Sequence, residues 1–227
     1  MNFSIFGKIR DKFRYGLIFL VMRDYLKKLG IEITFFYWTK ETIPDKIQVN
    51  LEDDLNDYEF SLFGPEEIKT ICQFPERKFF SEEHVTKMFN KGKKCYGAKY
   101  KGEIAAFTWF DLEESYTRFY PTAMKNNEAY LFDMYVLKAF RGKNLAPILR
   151  YKIYAILKEL GRDTCYSITE CFNSPSMKFK KKLNAQDVFL GLYVNLFRKY
   201  RKRWILKKYQ HGDLNGAPRA LARGTCT

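Results

Sequence analysis

The chain has almost no histidine. His84 and His211 are the only two in 227 residues, so a multi-histidine metal site or a histidine-based triad has little to be built from, and no metal is expected. Acid is also in short supply. Twenty-six Asp and Glu stand against 40 Lys and Arg, a net charge of +14, which calls for anionic company: cofactor phosphates, nucleic acid, an anionic membrane face or an acidic protein. The five cysteines (Cys72, Cys95, Cys165, Cys171, Cys226) are odd in number and contain no CxxC pair. That argues against a disulfide framework and suits a reducing, cytoplasmic setting. Long apolar runs are missing too. The uncharged stretch at 15–22 falls far short of the roughly 20 residues of a membrane span, and no small-residue cleavage site follows a long apolar core. The hydrophobic content, 46%, is enough for a sizeable core, so one globular domain with additions is expected.

The most informative stretch runs from Glu128 to Leu160. An apolar run (Ala129 to Leu137) reads as a strand, a basic turn follows (Lys138 to Asn144), and a helical pattern begins near Leu145. Such a strand–turn–helix is a phosphate-binding device. The first N–H groups of a helix have no intrahelical partner, its dipole is positive there, and Arg141 and Lys143 add full charges. A solvated basic turn capping a buried helix is the plainer alternative.

These residues resemble the GCN5-related N-acetyltransferase (GNAT) family, whose signature is a strand, a turn reading Arg/Gln-x-x-Gly-x-Gly/Ala, and a helix whose first turn holds the coenzyme A pyrophosphate. Here the turn reads Arg141-Gly142-Lys143-Asn144-Leu145-Ala146, after Asp133-Met134-Tyr135-Val136 on the strand. Asn144 replaces the central glycine, and asparagine is the other residue that best tolerates positive φ. Further on, Asn173, Ser176 and Leu183 match the next landmark, while Asn184 and Ala185 stand where Gly-Phe is usual. Many members carry a tyrosine seven residues after the asparagine as the acid for the leaving thiolate. Here that position is Lys180, in a KFKKK run that reads as a solvated basic helix face.

The resemblance implies an α/β (α+β) fold: a mixed, mostly antiparallel central sheet flanked by helices, with an N-terminal helix–strand extension. Residues 1–50 form that extension, 51–208 the acyltransferase domain, and 209–227 a disordered tail. It implies acetyl-CoA or another acyl-CoA as co-substrate and direct attack of a primary amine on the thioester. Met134 and Val136 on the strand, residues 141–146 of the turn, and Asn173 with Ser176 become cofactor contacts. Asp133 is the candidate base, acting directly or through water, with Tyr135 beside it as a second catalytic candidate. An ion-pair role for Asp133 stays open.

The remaining elements fall in the family's order. Tyr58 to Phe63 reads as a strand, Pro65 to Cys72 and Ser81 to Met88 as helices, and Lys94 to Tyr100 with Ile104 to Leu112 as a hairpin. The family's acceptor loop corresponds to residues 113–127, making Tyr116, Arg118, Phe119 and Tyr120 candidate acceptor contacts; ordinary loop packing explains them as well. Asp163 to Cys171 reads as a strand with both cysteines on one face, as small buried side chains. Residues 188–209 read as a hairpin carrying seven basic residues between Arg198 and Lys208, interleaved with Tyr200, Trp204 and Tyr209. Residues 1–29 read as one amphipathic helix ending at Gly30, either packed on its own domain or lying on an anionic membrane. The acceptor classes left open are an amino sugar or other anionic small molecule, an amino acid, a polyamine and a protein amine. An acidic acyl carrier protein as donor, and a nucleic-acid-binding module without catalysis, are the competing readings.

Overall fold

The computed structural model describes residues 25–44, 56–74, 82–115 and 117–209. Residues 1–24 of the amphipathic helix expected over 1–29, Ser81 at the start of the second expected helix, Tyr116, the boundary near residue 50 and all but Tyr209 of the expected tail lie outside them; Tyr25–Lys28 are helical and the chain turns at Leu29–Gly30, as expected. In chain order the elements are β1 (Ile31–Thr42), β2 (Tyr58–Leu62), α1 (Pro65–Gln73), α2 (Glu82–Asn90), β3 (Lys94–Tyr100), β4 (Glu103–Asp111), β5 (Glu128–Val136), a 3-10 turn (Lys138–Phe140), α3 (Leu145–Glu159), β6 (Thr164–Glu170), α4 (Ser174–Lys182), β7 (Gln186–Leu196) and β8 (Tyr200–Lys208).

Local chemistry explains most of these. Gly64 N–H donates to Glu67 Oε2 at 2.8 Å across the start of α1, where Pro65 needs no N–H partner. Lys101 and Gly102 both have positive φ (49° and 85°) at the β3–β4 turn, the two-residue geometry that matches strand twist. After Gly161, at φ 72°, the chain leaves α3 for β6.

The eight strands form one sheet in the order β2-β3-β4-β5-β6-β1-β7-β8. Every pairing is antiparallel except β5 with β6. The expected N-terminal strand is present, and it sits inside the sheet: β1 pairs with β6 along one edge and β7 along the other. Helices α3 and α4 cover one face. The other face carries α1 and α2 over β3 and β4, and residues 119–124 over β1 and β7, where Phe119, Tyr120 and Met124 join a cluster of Phe36, Trp38, Tyr130, Phe189 and Tyr193. No helix of the described residues is long and apolar enough to cross a membrane.

Candidate active site

Strands β5 and β6 pair only from Glu128↔Thr164 to Tyr130↔Tyr166. β5 then continues to Val136 and β6 to Glu170 without pairing to one another, so the sheet parts between them. The two strands are parallel; β5 leads through the 3-10 turn and residues 141–144 into α3, and β6 through residues 171–173 into α4, so both helices start at the parted end. Ligands of open sheets collect outside the carboxyl ends of parallel strands for this reason: unpaired strand edges and helix N-termini converge there.

On β5, one extra residue shifts the phase of the strand. Trp109 pairs with Phe132 and Phe107 with Tyr135, so Asp133 and Met134 together face Thr108. Asp133 adopts φ 52°, and Thr108 Oγ1 donates to the Phe132 carbonyl at 3.2 Å beside it. Two residues opposing one is a β-bulge, which re-aims the side chains after it. Met134 and Val136 consequently pack with Leu131 on the α3 side, while Tyr135 packs with Phe132 and Phe107 on the α1–α2 side. A strand read by simple alternation puts Asp133 and Tyr135 on one face; here Asp133 is the bulged residue and Tyr135 lies beyond it.

The turn after β5 is exposed from Arg141 to Asn144. Gly142 has φ 84°, and Asn144, the N-cap of α3, sits at φ 57°, ψ 18°, the left-handed conformation expected of the residue replacing glycine. The first intrahelical bond is from Ile148 N–H to the Asn144 carbonyl. The N–H groups of Asn144, Leu145 and Ala146 therefore have no helical acceptor, and Pro147 has no N–H to place. Arg141 folds back on the strand. Its Nε donates to the Val136 carbonyl at 3.1 Å, its Nη2 to the Tyr135 hydroxyl at 3.3 Å, and its guanidinium lies over the Tyr135 ring. Lys143 reaches over the rings of Tyr100 and Phe140. An exposed left-handed turn with two cations ahead of unpaired helix amides fits a pyrophosphate. At the other helix start, Asn173 Oδ1 accepts from Ser176 N–H at 3.2 Å, so these two candidates form the N-cap of α4. Among the described residues no group of His, Cys, Asp and Glu could hold a metal.

The acceptor-loop candidates are anchored on the sheet. Phe119 stacks on Phe36 at 5.6 Å between ring centres and meets Tyr193 edge-on at 5.3 Å; Tyr120 contacts Trp38 and Phe189. Arg118 Nη2 donates to buried Glu32 at 2.5 Å, and its carbonyl accepts from Arg203.

Lys180 corrects the reading of KFKKK as a solvated face. Lys178, Lys181 and Lys182 are exposed, but Lys180 is buried. Its ammonium is bound to Glu41 of β1 and Ser167 of β6. Glu41 also accepts from Tyr154 of α3 and lies 3.6 Å from Arg150 of the same helix. Burial alone would raise the Glu41 carboxyl; the Arg150 and Lys180 cations outweigh it and hold it at about 2. Burial lowers Lys180, Glu41 pulls it back and Arg150 repels it, leaving it at about 8. The unequal shifts of the partners follow from one carboxylate facing two cations. Spacing alone contained a signal for this: Lys180 follows Met177 by three residues and precedes Leu183 by three, the helical repeat of a covered face. Cys165 is buried and its thiol is pushed up by burial, and half-buried Cys171 is pushed up to about 11 for the same reason. Neither is a ready nucleophile.

Compared with known proteins, residues 51–184 match the Acetyltransferase (GNAT) family. No curated protein matches the sequence. Among solved structures, a Drosophila protein superposes with a TM-score of 0.54 at 14% identity, over 80% of this chain and 57% of that one. A functionally unknown conserved protein of Staphylococcus epidermidis gives 0.53 at 8% identity, over 78% and 66%. A tandem GNAT protein from the clavulanic acid biosynthesis pathway gives 0.51 at 14% identity, over 76% and 52%. The chain thus spans under two thirds of the length of each. At these identities the superpositions speak for the fold; the family match, which takes in more than half of the chain, speaks for descent, and by it this protein belongs to the GNAT acetyltransferase family.

Proposed function

We propose that the protein transfers an acetyl or other acyl group from acyl-CoA to a primary amine by direct attack on the thioester. The observation that carries this is the parting of β5 from β6, with two helix starts and the Arg141–Ala146 turn at the parted end. In this reading the amides of Asn144, Leu145 and Ala146, with Gly142, Arg141 and Lys143, hold the pyrophosphate. Backbone groups of Met134 and Val136 take the pantetheine arm. Much of the rate then comes from holding two substrates in register, with strand N–H groups as donors toward the carbonyl oxygen.

Asp133 is the base we assign, acting directly or through water, with Tyr135 lining the same strand end. The bulge that places Asp133 at positive φ supports its being aimed for use. Lys180 is not assigned as the acid, because Glu41 and Ser167 already engage its ammonium; protonation of the leaving thiolate falls to water. Arg118, Phe119 and Tyr120 contribute the wall of the acceptor side. A net charge of +14 favours an anionic acceptor, such as an amino sugar on a phosphate, over a polycation. That the described cysteines form no disulfide with one another is in keeping with a cytoplasmic setting.

The test is a calorimetric titration of the full chain with acetyl-CoA, alongside an Arg141→Ala, Lys143→Ala variant. Saturable one-site binding, weakened at least tenfold in the variant, is expected. A folded protein that binds no acetyl-CoA at millimolar concentration would overturn the acyl-CoA reading and turn the search to a carrier-protein donor.

A further inference from the structure

Two stretches distant in sequence meet at one end of the sheet. The turn before β1 ends at Gly30, whose carbonyl accepts from Phe197 N–H at 2.6 Å; a Cβ on Gly30 would lie 3.3 Å from the Phe197 Cα. Around this junction Tyr25, Leu29, Leu196, Phe197 and Tyr200 are all exposed, Phe197 at 61% and Tyr200 at 69%. Interleaved with them are exposed Lys27, Lys28, Arg198, Lys199 and Arg201. β8 extends the surface: all nine of its residues are exposed, including Trp204, Ile205 and Leu206. From Leu196 to Tyr209 there are seven cations and no acid. Glu32, at the start of β1, is buried and held by Arg118 and Lys27.

Folding does not explain this surface. The tip residues Phe197 and Arg198 sit at φ 52° and 60°, a conformation asparagine or glycine adopts at less cost. A bulky apolar side chain kept there and exposed is a feature with a use.

We propose that this end of the sheet docks on an anionic phospholipid bilayer, with Phe197, Leu29 and Tyr200 entering the headgroup layer and the surrounding cations pairing with lipid phosphates and carboxylates. Amphipathic rings at the interface flanked by Lys and Arg are how proteins hold such a surface. Nucleic acid matches the charge and gives Leu29, Leu196, Ile205 and Leu206 nothing to contact. A second copy would set like-charged edges against each other. The register fixes what faces the bilayer: Ile31 pairs with Leu196 and Phe36 with Glu170, so the docking end is the end at which β5 and β6 part. The docking does not depend on the acyl-transfer reading.

Of the three tryptophans, Trp38 and Trp109 are buried and Trp204 is exposed, so a lipid-dependent fluorescence change reports on β8. The full chain is sedimented with vesicles of phosphatidylcholine alone or mixed with phosphatidylserine, and its quenching by brominated lipid is followed. Binding only to the mixed vesicles, with Trp204 quenched, is expected. Arg198→Glu with Arg201→Glu should weaken it by more than about 100-fold, at roughly fivefold per unit charge near the surface. Phe197→Asn with Leu29→Gln, which also eases the backbone at 197, should weaken it by roughly tenfold or more. No partition of folded protein into mixed vesicles at low salt would overturn the proposal. So would binding indifferent to Phe197→Asn with Leu29→Gln and matched by duplex DNA, which would mark a general polyanion surface, or masking of Trp204 by self-association without lipid.

Discussion

Replacing Glu41 with glutamine removes the carboxylate that Lys180, Arg150 and Tyr154 share. Two buried cations then face one another without a counter-charge. The Arg150–Glu41 separation of 3.6 Å corresponds to about 4–5 kcal/mol at an effective dielectric constant near 20, and orphaning buried ions typically costs about 3–5 kcal/mol. Lys180→Met is the contrasting perturbation. It takes away the surplus cation and leaves Glu41 with Arg150 and Tyr154, so its cost should stay within about 1 kcal/mol. Urea unfolding separates the two. With a slope of about 2 kcal/mol per molar, Glu41→Gln should lower the midpoint by roughly 1.5–2.5 M and Lys180→Met by less than about 0.5 M.

The same cluster sets two limbs of the pH profile. The folded-state pKa of Glu41 is depressed from 4.5 to about 2, so its contribution is complete above pH 4.5 and is lost as pH falls through about 2, on the order of 3 kcal/mol. The folded-state pKa of Lys180 is depressed from 10.5 to about 8. Its penalty is therefore full below pH 8 and is relieved as pH rises toward 10.5. Glu41→Gln should lose the Glu41 share of the acid limb, while Glu67 and Asp163, whose carboxyls are also held low, keep theirs, and Lys180→Met should lose the alkaline rise. Equal losses in the two variants, or an unchanged acid limb in Glu41→Gln, would refute the arrangement of one carboxylate between two cations.

Substitutions at two further positions test the backbone of the site and the packing of the sheet. Asn144→Gly should be neutral or stabilise by up to about 1 kcal/mol and preserve acetyl-CoA affinity, whereas Asn144→Val should cost about 1–2 kcal/mol and weaken binding, because only the former accepts φ 57°; thermal unfolding with the titration above reads both. Gly97→Ala would put a Cβ 2.0 Å from the Phe63 ring and 2.8 Å from the Ala106 carbonyl, and a loss of about 1–3 kcal/mol in denaturant is expected; an unchanged midpoint would mean that Phe63 is not seated over the β3–β4 pair.

What could be read from the sequence was local. The β3–β4 turn, the exposed turn at 141–144 and the start of α3 at Leu145 each follow from residues within a few positions of one another, and Asn144 adopts the conformation its side-chain chemistry suggested. The rest depends on partners far along the chain. Nothing near Asp133 announces that Thr108 will face two residues instead of one, so the phase change that separates Tyr135 from Leu131 is invisible to alternation. The KFKKK run looks solvated until β1 brings Glu41 beneath it. The docking end is legible only once Gly30 and Phe197 are known to touch.

The position of β1 has a consequence for biosynthesis. This strand leaves the ribosome early, yet Thr39 finds Ser167 across 128 residues, and the β7 edge arrives later still. Until β6 is made, β1 has neither hydrogen-bonding neighbour, and the half-sheet from β2 to β5 can form without it. Closing the sheet is then a late, long-range event that inserts an early strand between two late ones, a slow kind of step. A nascent chain halted before Thr164 should hold β1 open to any chaperone or protease that reads extended apolar segments.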